Sequence, residues 1–250
     1  MSAQTLLLLP GWALGSAPLA PLADALRRRL PPSYRVECID YPGLTSHRPE
    51  SWVAALDHAV PQDAWLAGWS LGGMLATALA QWRGRRARGL IALAANASFV
   101  TRSGWPQAMT GEALEDFRHG LRASPTRTFR RFARLSAQGG RDTRRLGREL
   151  LAALETTPLD QALAGLGVLS ALDLREVPPT LKIPQLHLFG EDDALVPAAA
   201  RHAIAARLPR GGRTASIADA GHAFPLEYAE ETAERMATFI LAADADEAGP

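Results

Sequence analysis

The sequence predicts an α/β fold, with a mostly parallel central sheet, helices on both faces and a helical segment inserted into it. Three observations carry that prediction. Short apolar runs alternate with stretches of helical spacing up to about residue 97 and again beyond residue 180, the pattern of parallel strands joined by crossover helices. Between them, over residues 98–180, no convincing strand can be read. Third, Gly68-Trp69-Ser70-Leu71-Gly72 fits Gly-x-Ser-x-Gly, with an apolar run at 64–67 before it and an Ala- and Leu-rich helical run at 73–82 after it.

In chain order, residues 5–9 are continuously apolar and end in Pro10-Gly11-Trp12, which reads as a buried strand and a turn. Residues 19–30 have helical spacing and stop at Pro31-Pro32. A strand over 35–39 runs into the loop Asp40-Tyr41-Pro42-Gly43, and 50–60 form an amphipathic helix. The strand, turn and helix around Ser70 follow, then a buried strand over 89–94. Within the insertion, 110–123 read as a helix. Ser124-Pro125 is an N-cap with proline at the first helical position, opening a helix that ends near Gly139-Gly140. A third helix spans 141–156, and Thr157-Pro158 repeats the cap signature to open a fourth. The sheet resumes with strands at 185–190 and 213–217, separated by a helix over 197–208. A closing helix covers 225–241, and the small, acidic tail 242–250 is expected to fray. The domain reading is a core of residues 1–97 and 181–250 with a helical lid, 98–180, inserted in it.

Composition narrows the classes. A chain of 250 residues, 47% hydrophobic, can fill one large core. No apolar run approaches the ~20 residues of a membrane span, and the run at 5–9 lacks the length and preceding positive charge of a signal peptide. The expectation is therefore a cytoplasmic protein with no membrane partner, a monomer by default. Cys38 is the single cysteine, so no internal disulfide can form, and it reads as core filler. No Cys/His cluster has zinc spacing and no glycine-rich loop fits a phosphate site, and no nucleic-acid partner is expected. The net charge of +1 is uninformative, but its distribution is not: ten arginines fall between Arg118 and Arg148 against one acid, Asp142. Arginine is general in this chain, since 26 of its 27 basic residues are arginine.

The chemistry centres on Ser70. Glycines flank it because the turn leaves no room for Cβ atoms, and the serine at the apex is exposed by strained backbone angles. The N–H of Leu71, opening the next helix, points to where an oxyanion would form. A second donor belongs to the loop after the first strand, which gives the N–H of Trp12. The indoles of Trp12 and Trp69 are candidates to line an acyl pocket. Such a serine needs a base and an orienting acid, in the chain order serine, acid, histidine. His119 and His202 fall in helices and His187 inside a strand, leaving His222 in a loop just past a strand. The acid should follow the strand 185–190, where Glu191, Asp192 and Asp193 stand. The apolar run Ala194-Leu195-Val196-Pro197 favours Asp193, with Asp192 as the fallback.

With Gly11-Trp12, the Gly68–Gly73 elbow with tryptophan before the serine, Asp193-Ala194-Leu195-Val196-Pro197, Gly221-His222-Ala223 and Asp173-Leu174-Arg175, the chain resembles the α/β-hydrolases. Within them it resembles the BioH family of pimeloyl-[acyl-carrier protein] methyl ester esterases of biotin synthesis, from about residue 6 to 240. The resemblance implies carboxyl-ester hydrolysis by a Ser70–His222–Asp193 triad with no metal and no cofactor, on small esters or on an acyl carrier protein bearing the substrate. It implies that the insertion is a lid whose Phe132 lines the acyl channel. It also implies that Arg127, Arg131, Arg144 and Arg148 meet the acidic carrier. Each arginine pair is spaced i, i+4 and shares a helix face, where like charges repel until an anionic partner neutralises them. Pro10 departs from the His-Gly usual after the first strand, but the donor N–H at Trp12 is retained. The alternatives are a general short-chain carboxylesterase or thioesterase with the same triad and, more remotely, a non-catalytic ligand-binding relative.

Overall fold

A computed structural model describes residues 4–41 and 43–248. Pro42 of the loop at 40–43, and Gly249 and Pro250 of the tail, lie outside the described residues. Among the described residues the strands are β1 (Gln4–Leu9), β2 (Tyr34–Cys38), β3 (Trp65–Trp69), β4 (Gly89–Leu93), β5 (Gln185–Gly190) and β6 (Arg213–Ile217). They form one sheet in the order β2-β1-β3-β4-β5-β6, and every pairing is parallel. Successive strand residues point to opposite faces. Because Leu6, Leu7, Leu8 and Leu9 are all fully buried, both faces of the sheet are covered.

The cover is helical. α1 (Ala20–Arg29) packs on α10 (Ala229–Ala248), and α2 (Pro49–Ala59) packs on α3 (Leu71–Arg83). Between β4 and β5 stand α4 (Gly111–Ala123), α5 (Pro125–Ala137), α6 (Thr143–Leu154) and α7 (Leu159–Ala171). α5 and α6 form a hairpin, while α4 packs on α5 and α7. Only isolated bridges, such as Ser98 with Asp173, occur in this segment among the described residues. α8 (Ala198–Ala205) precedes β6, and the short α9 (Phe224–Glu227) precedes α10.

Local chemistry explains most boundaries. Thr110 caps α4 by accepting from the N–H of Ala113 at 3.2 Å, and Asp142 caps α6 by accepting from Arg145 at 2.9 Å. Three expectations are corrected. Thr157 does not cap α7, whose N-cap is Pro158; its hydroxyl donates instead to the carbonyl of Ala13, 2.8 Å away. Nor does the chain leave helix at residue 241, since α10 continues to Ala248. Asp244, in its extra turns, bonds to Tyr34 and to Arg88 of the sheet's amino-terminal side. Cys38 is half-buried rather than core, with burial pushing its thiol pKa up.

Register sets the site. Leu9 pairs with Gly68, so the loop after β1 emerges beside the turn after β3. Gly190 pairs with Ile217, so the loop after β5 emerges beside the loop after β6. All four loops leave from the carboxyl ends of parallel strands, where ligand sites form in such sheets.

Candidate active site

Ser70 stands between β3 and α3 with φ 55° and ψ −117°, outside the ordinary regions for a non-glycine residue. Its N–H donates to Leu93 at 2.8 Å, and its carbonyl accepts from Met74 at 3.1 Å, which holds the strained turn in place. The flanking glycines are steric necessities. A Cβ on Gly68 would overlap the Gly72 backbone, and one on Gly72 would lie 2.6 Å from the carbonyl oxygen of Pro10.

His222 follows β6 and Asp193 follows β5. The imidazole Nδ1 lies 2.8 Å from Asp193 Oδ2, and both side chains are removed from solvent. Asp193 Oδ1 accepts from the N–H groups of Leu195 at 2.8 Å and Val196 at 2.9 Å. The carboxylate is thus fixed by three hydrogen bonds, and Nδ1 is the nitrogen that carries the proton. His222 Nε2 is buried and has no partner among the described residues. Asp192 is exposed and its backbone N–H bonds to Ala220 at 2.9 Å; among the described residues its side chain makes no hydrogen bond or ion pair with the imidazole.

The N–H groups of Trp12 and Leu71 make no hydrogen bond among the described residues. The loop that carries Trp12 is held at four points. Tyr41, which burial keeps protonated by raising its pKa, donates to the carbonyl of Pro10 at 2.8 Å. Thr157 donates to Ala13, Asp40 accepts from the backbone and hydroxyl of Ser16, and the Trp12 indole donates to the carbonyl of Ala162 at 2.8 Å. Two of these four anchors come from the α6–α7 region, a link that no sequence motif announces. Pro10 contributes only its carbonyl here, so its missing N–H leaves nothing unpaired.

Trp12 is a wall between two spaces. On one side lies a cleft of about 880 Å³ whose lining includes Trp12, Leu71, Tyr41, Trp52, Gln161 and Leu226. On the other is a tight apolar cavity of about 50 Å³ lined by Phe117, Phe132, Leu135, Leu166 and Leu195 among others. Phe132 meets the Trp12 ring edge-on with centroids 4.8 Å apart, and Phe117 does so at 5.5 Å. Trp69 lines neither space. Its indole is fully buried and donates to the carbonyl of His222 at 2.9 Å, which ties the residue before Ser70 to the histidine loop. Among the described residues no group of three or more His, Cys, Asp or Glu could hold a metal, and no helix is long and apolar enough to cross a membrane.

Arg127, Arg131, Arg144 and Arg148 are all exposed on α5 and α6, and none of their side chains makes an ion pair or hydrogen bond among the described residues. Their neighbour Arg145 differs, since it pairs with Glu149 at 3.1 Å. Arg131 also contributes to the lining of the apolar cavity.

Residues 6–235 match the model of the Alpha/beta hydrolase family. A pimeloyl-[acyl-carrier protein] methyl ester esterase of Xanthomonas campestris is 36% identical over 247 residues, spanning 95% of each chain. The protein of that name from Xanthomonas oryzae is 37% identical over 94% of each. Among solved structures, an esterase from Exiguobacterium antarcticum superposes with a TM-score of 0.86 at 18% identity, over 96% of this chain and 92% of that one. The enol-lactonase of Burkholderia xenovorans does so with a TM-score of 0.81 at 18% identity, over the same shares. These structural likenesses, at such identities, speak to the fold alone.

Proposed function

The chain belongs to the alpha/beta hydrolase family, and from that premise we propose that it is a serine esterase that cleaves the methyl ester of a pimeloyl group carried on acyl carrier protein. The observation that carries the chemistry is the buried, unpartnered Nε2 of His222 on an imidazole whose Nδ1 is held by Asp193, beside an elbow serine with φ 55°. The substrate rests on the names of the Xanthomonas relatives and on the unpaired arginines of α5 and α6.

In this reading Ser70 Oγ attacks the ester carbonyl carbon while Nε2 of His222 takes its proton. The oxyanion accepts from the N–H groups of Trp12 and Leu71. When the tetrahedral species collapses, Nε2 returns the proton to the leaving oxygen and methanol departs. Water then attacks the acyl-enzyme by the same route, releasing the free carboxylate still attached to its carrier. Asp193 holds the tautomer and stabilises the imidazolium without taking the proton. α4–α7 act as the lid, and the acyl arm runs past Phe132, which meets the Trp12 ring edge-on at the apolar cavity.

The test is a panel of methyl esters, free and carrier-linked, assayed with the wild-type chain and with Ser70→Ala. Carboxylate release from the carrier-linked pimeloyl methyl ester, lost in Ser70→Ala, is the expected result. Hydrolysis of free esters with none of the carrier-linked one would overturn the substrate, and full activity in Ser70→Ala would overturn the mechanism.

A further inference from the structure

The turn between α5 and α6 is fastened to the loops that hold Asp193 and His222, and the fastener is Glu227. Its Oε2 accepts from the N–H of Arg141 at 3.0 Å and its Oε1 from the N–H of Asp142 at 2.9 Å. Glu227 ends α9, five residues after His222. The contact is close along its whole length. A Cβ on Gly221, next to His222, would overlap the carbonyl of Gln138, and one on Gly139 would lie 2.7 Å from Cβ of Asp192, next to Asp193. A Cβ on Gly140 would lie 2.8 Å from Glu227 Oε2. Beside the clamp, the Arg141 guanidinium covers the Tyr228 ring at 4.7 Å, and Tyr228 donates to the carbonyl of Asp219 at 2.5 Å.

We propose that Glu227 is a positioning residue for the ester hydrolysis: by gripping the α5–α6 turn it sets where the His222 loop stands relative to Ser70. A carboxylate suits the task because two parallel N–H groups at the entry to α6 need two acceptor oxygens, and the helix dipole favours an anion there. Among the described residues Glu227 makes the only side-chain hydrogen bonds from the segment after β6 to the α5–α6 turn, the Arg141–Tyr228 stacking beside it being a cation–π contact. The turn is also the point from which α5 and α6, with their arginines, extend. The proposal rests on the triad reading above.

The experiment compares wild type, Glu227→Ala and Glu227→Gln in p-nitrophenyl butyrate kinetics, fluorophosphonate labelling of Ser70 and thermal unfolding. Displacing a reacting group by about 1 Å can cost on the order of 100-fold in rate. Glu227→Ala should therefore lose about tenfold or more in kcat and in labelling rate, with KM within about twofold of wild type. Glu227→Gln keeps one acceptor oxygen and should lose less, a partial rescue that ranks the variants by acceptor count. A merely structural role would lower the melting temperature while kcat and labelling rate of the folded enzyme stayed within about twofold, and that result overturns the proposal. Should Glu227→Ala fail to fold, an unchanged kcat in Glu227→Gln overturns it in the same way. Absence of labelling at Ser70 in the wild type would instead sink the triad reading, which the Glu227 variants do not address.

Discussion

His222 can serve as a base only through the nitrogen that nothing else holds. Asp193 engages Nδ1 with one oxygen and two backbone N–H groups with the other, so the imidazole has one tautomer and one orientation. In the proposed mechanism, loss of His222 or Ser70 costs on the order of 10⁴–10⁶ in kcat, and Asp193→Asn somewhat less. Single-turnover acylation checks the ranking, and an Asp193→Asn variant at wild-type rate would sink the acid's role. The same reasoning isolates another histidine. His187 lies inside β5, fully buried, with Nε2 unpartnered, and burial lowers its pKa to about 4. In the unfolded chain it titrates near 6.5. The unfolded state therefore takes up the proton first, and the folded state loses stability as pH falls from about 6.5 towards 4, with no loss from this group above that window. The difference amounts to about 3 kcal/mol at the bottom of the window. His187→Leu should flatten the decline of the melting temperature between pH 6.5 and 4.5 relative to wild type. Parallel curves would show that His187 is not responsible.

At the scale of elements, what the sequence declares is whatever a local pattern can encode. The six strands and the helices between them follow from apolar period and from proline and glycine punctuation, and the elbow follows from glycines that a Cβ would jam. Asp193 is legible because the residues after it are apolar and supply the N–H groups that bury it. The misses are long-range. Thr157 reads as a cap because Thr-Pro is a capping signature, yet its hydroxyl is drawn to a carbonyl 144 residues away. Trp69 reads as pocket lining because it precedes the serine, but its indole N–H needs a buried acceptor and takes the carbonyl of His222. Glu227 carries no motif, since its two partners lie 85 and 86 residues away. The Thr157 bond makes a prediction for the element that bears it. Ala13 has φ 54°, and its carbonyl is held by that hydroxyl beside the Trp12 N–H. Thr157→Val keeps the shape and removes the donor, at a cost of about 1 kcal/mol in stability. If the Trp12 N–H meets the oxyanion, kcat on a small ester should fall roughly three- to tenfold with KM steady, because a displaced donor weakens the transition state only. An unchanged kcat would mean that the other three anchors hold the loop by themselves.

Over the whole molecule, charge is distributed in a way that its total conceals. The chain is nearly neutral, yet α5 and α6 present arginines that their own neighbours do not pair, whereas Arg118, Arg145, Arg175 and Arg235 all find acids close by. Unpaired like charges at i, i+4 cost an isolated helix a few tenths of a kcal/mol per pair, a small penalty that an anionic partner would reverse. An acidic carrier protein would meet Arg127, Arg131, Arg144 and Arg148 as rim ion pairs, each contributing roughly 0.2–1 kcal/mol and together speeding encounter. A small uncharged ester draws nothing from them. Replacing all four by alanine should raise KM for a carrier-linked ester by about tenfold or more, while p-nitrophenyl butyrate hydrolysis stays within about threefold, because none of the four side chains hydrogen-bonds or ion-pairs with His222 or Asp193 among the described residues. Raising salt from about 50 to 500 mM should mimic the substitution in wild type and do little further in the variant, since exposed pairs are screened over about 10 Å or less. Equal losses on both substrates would show instead that the arginines serve the α5–α6 hairpin itself, and the carrier would have to be sought on another face.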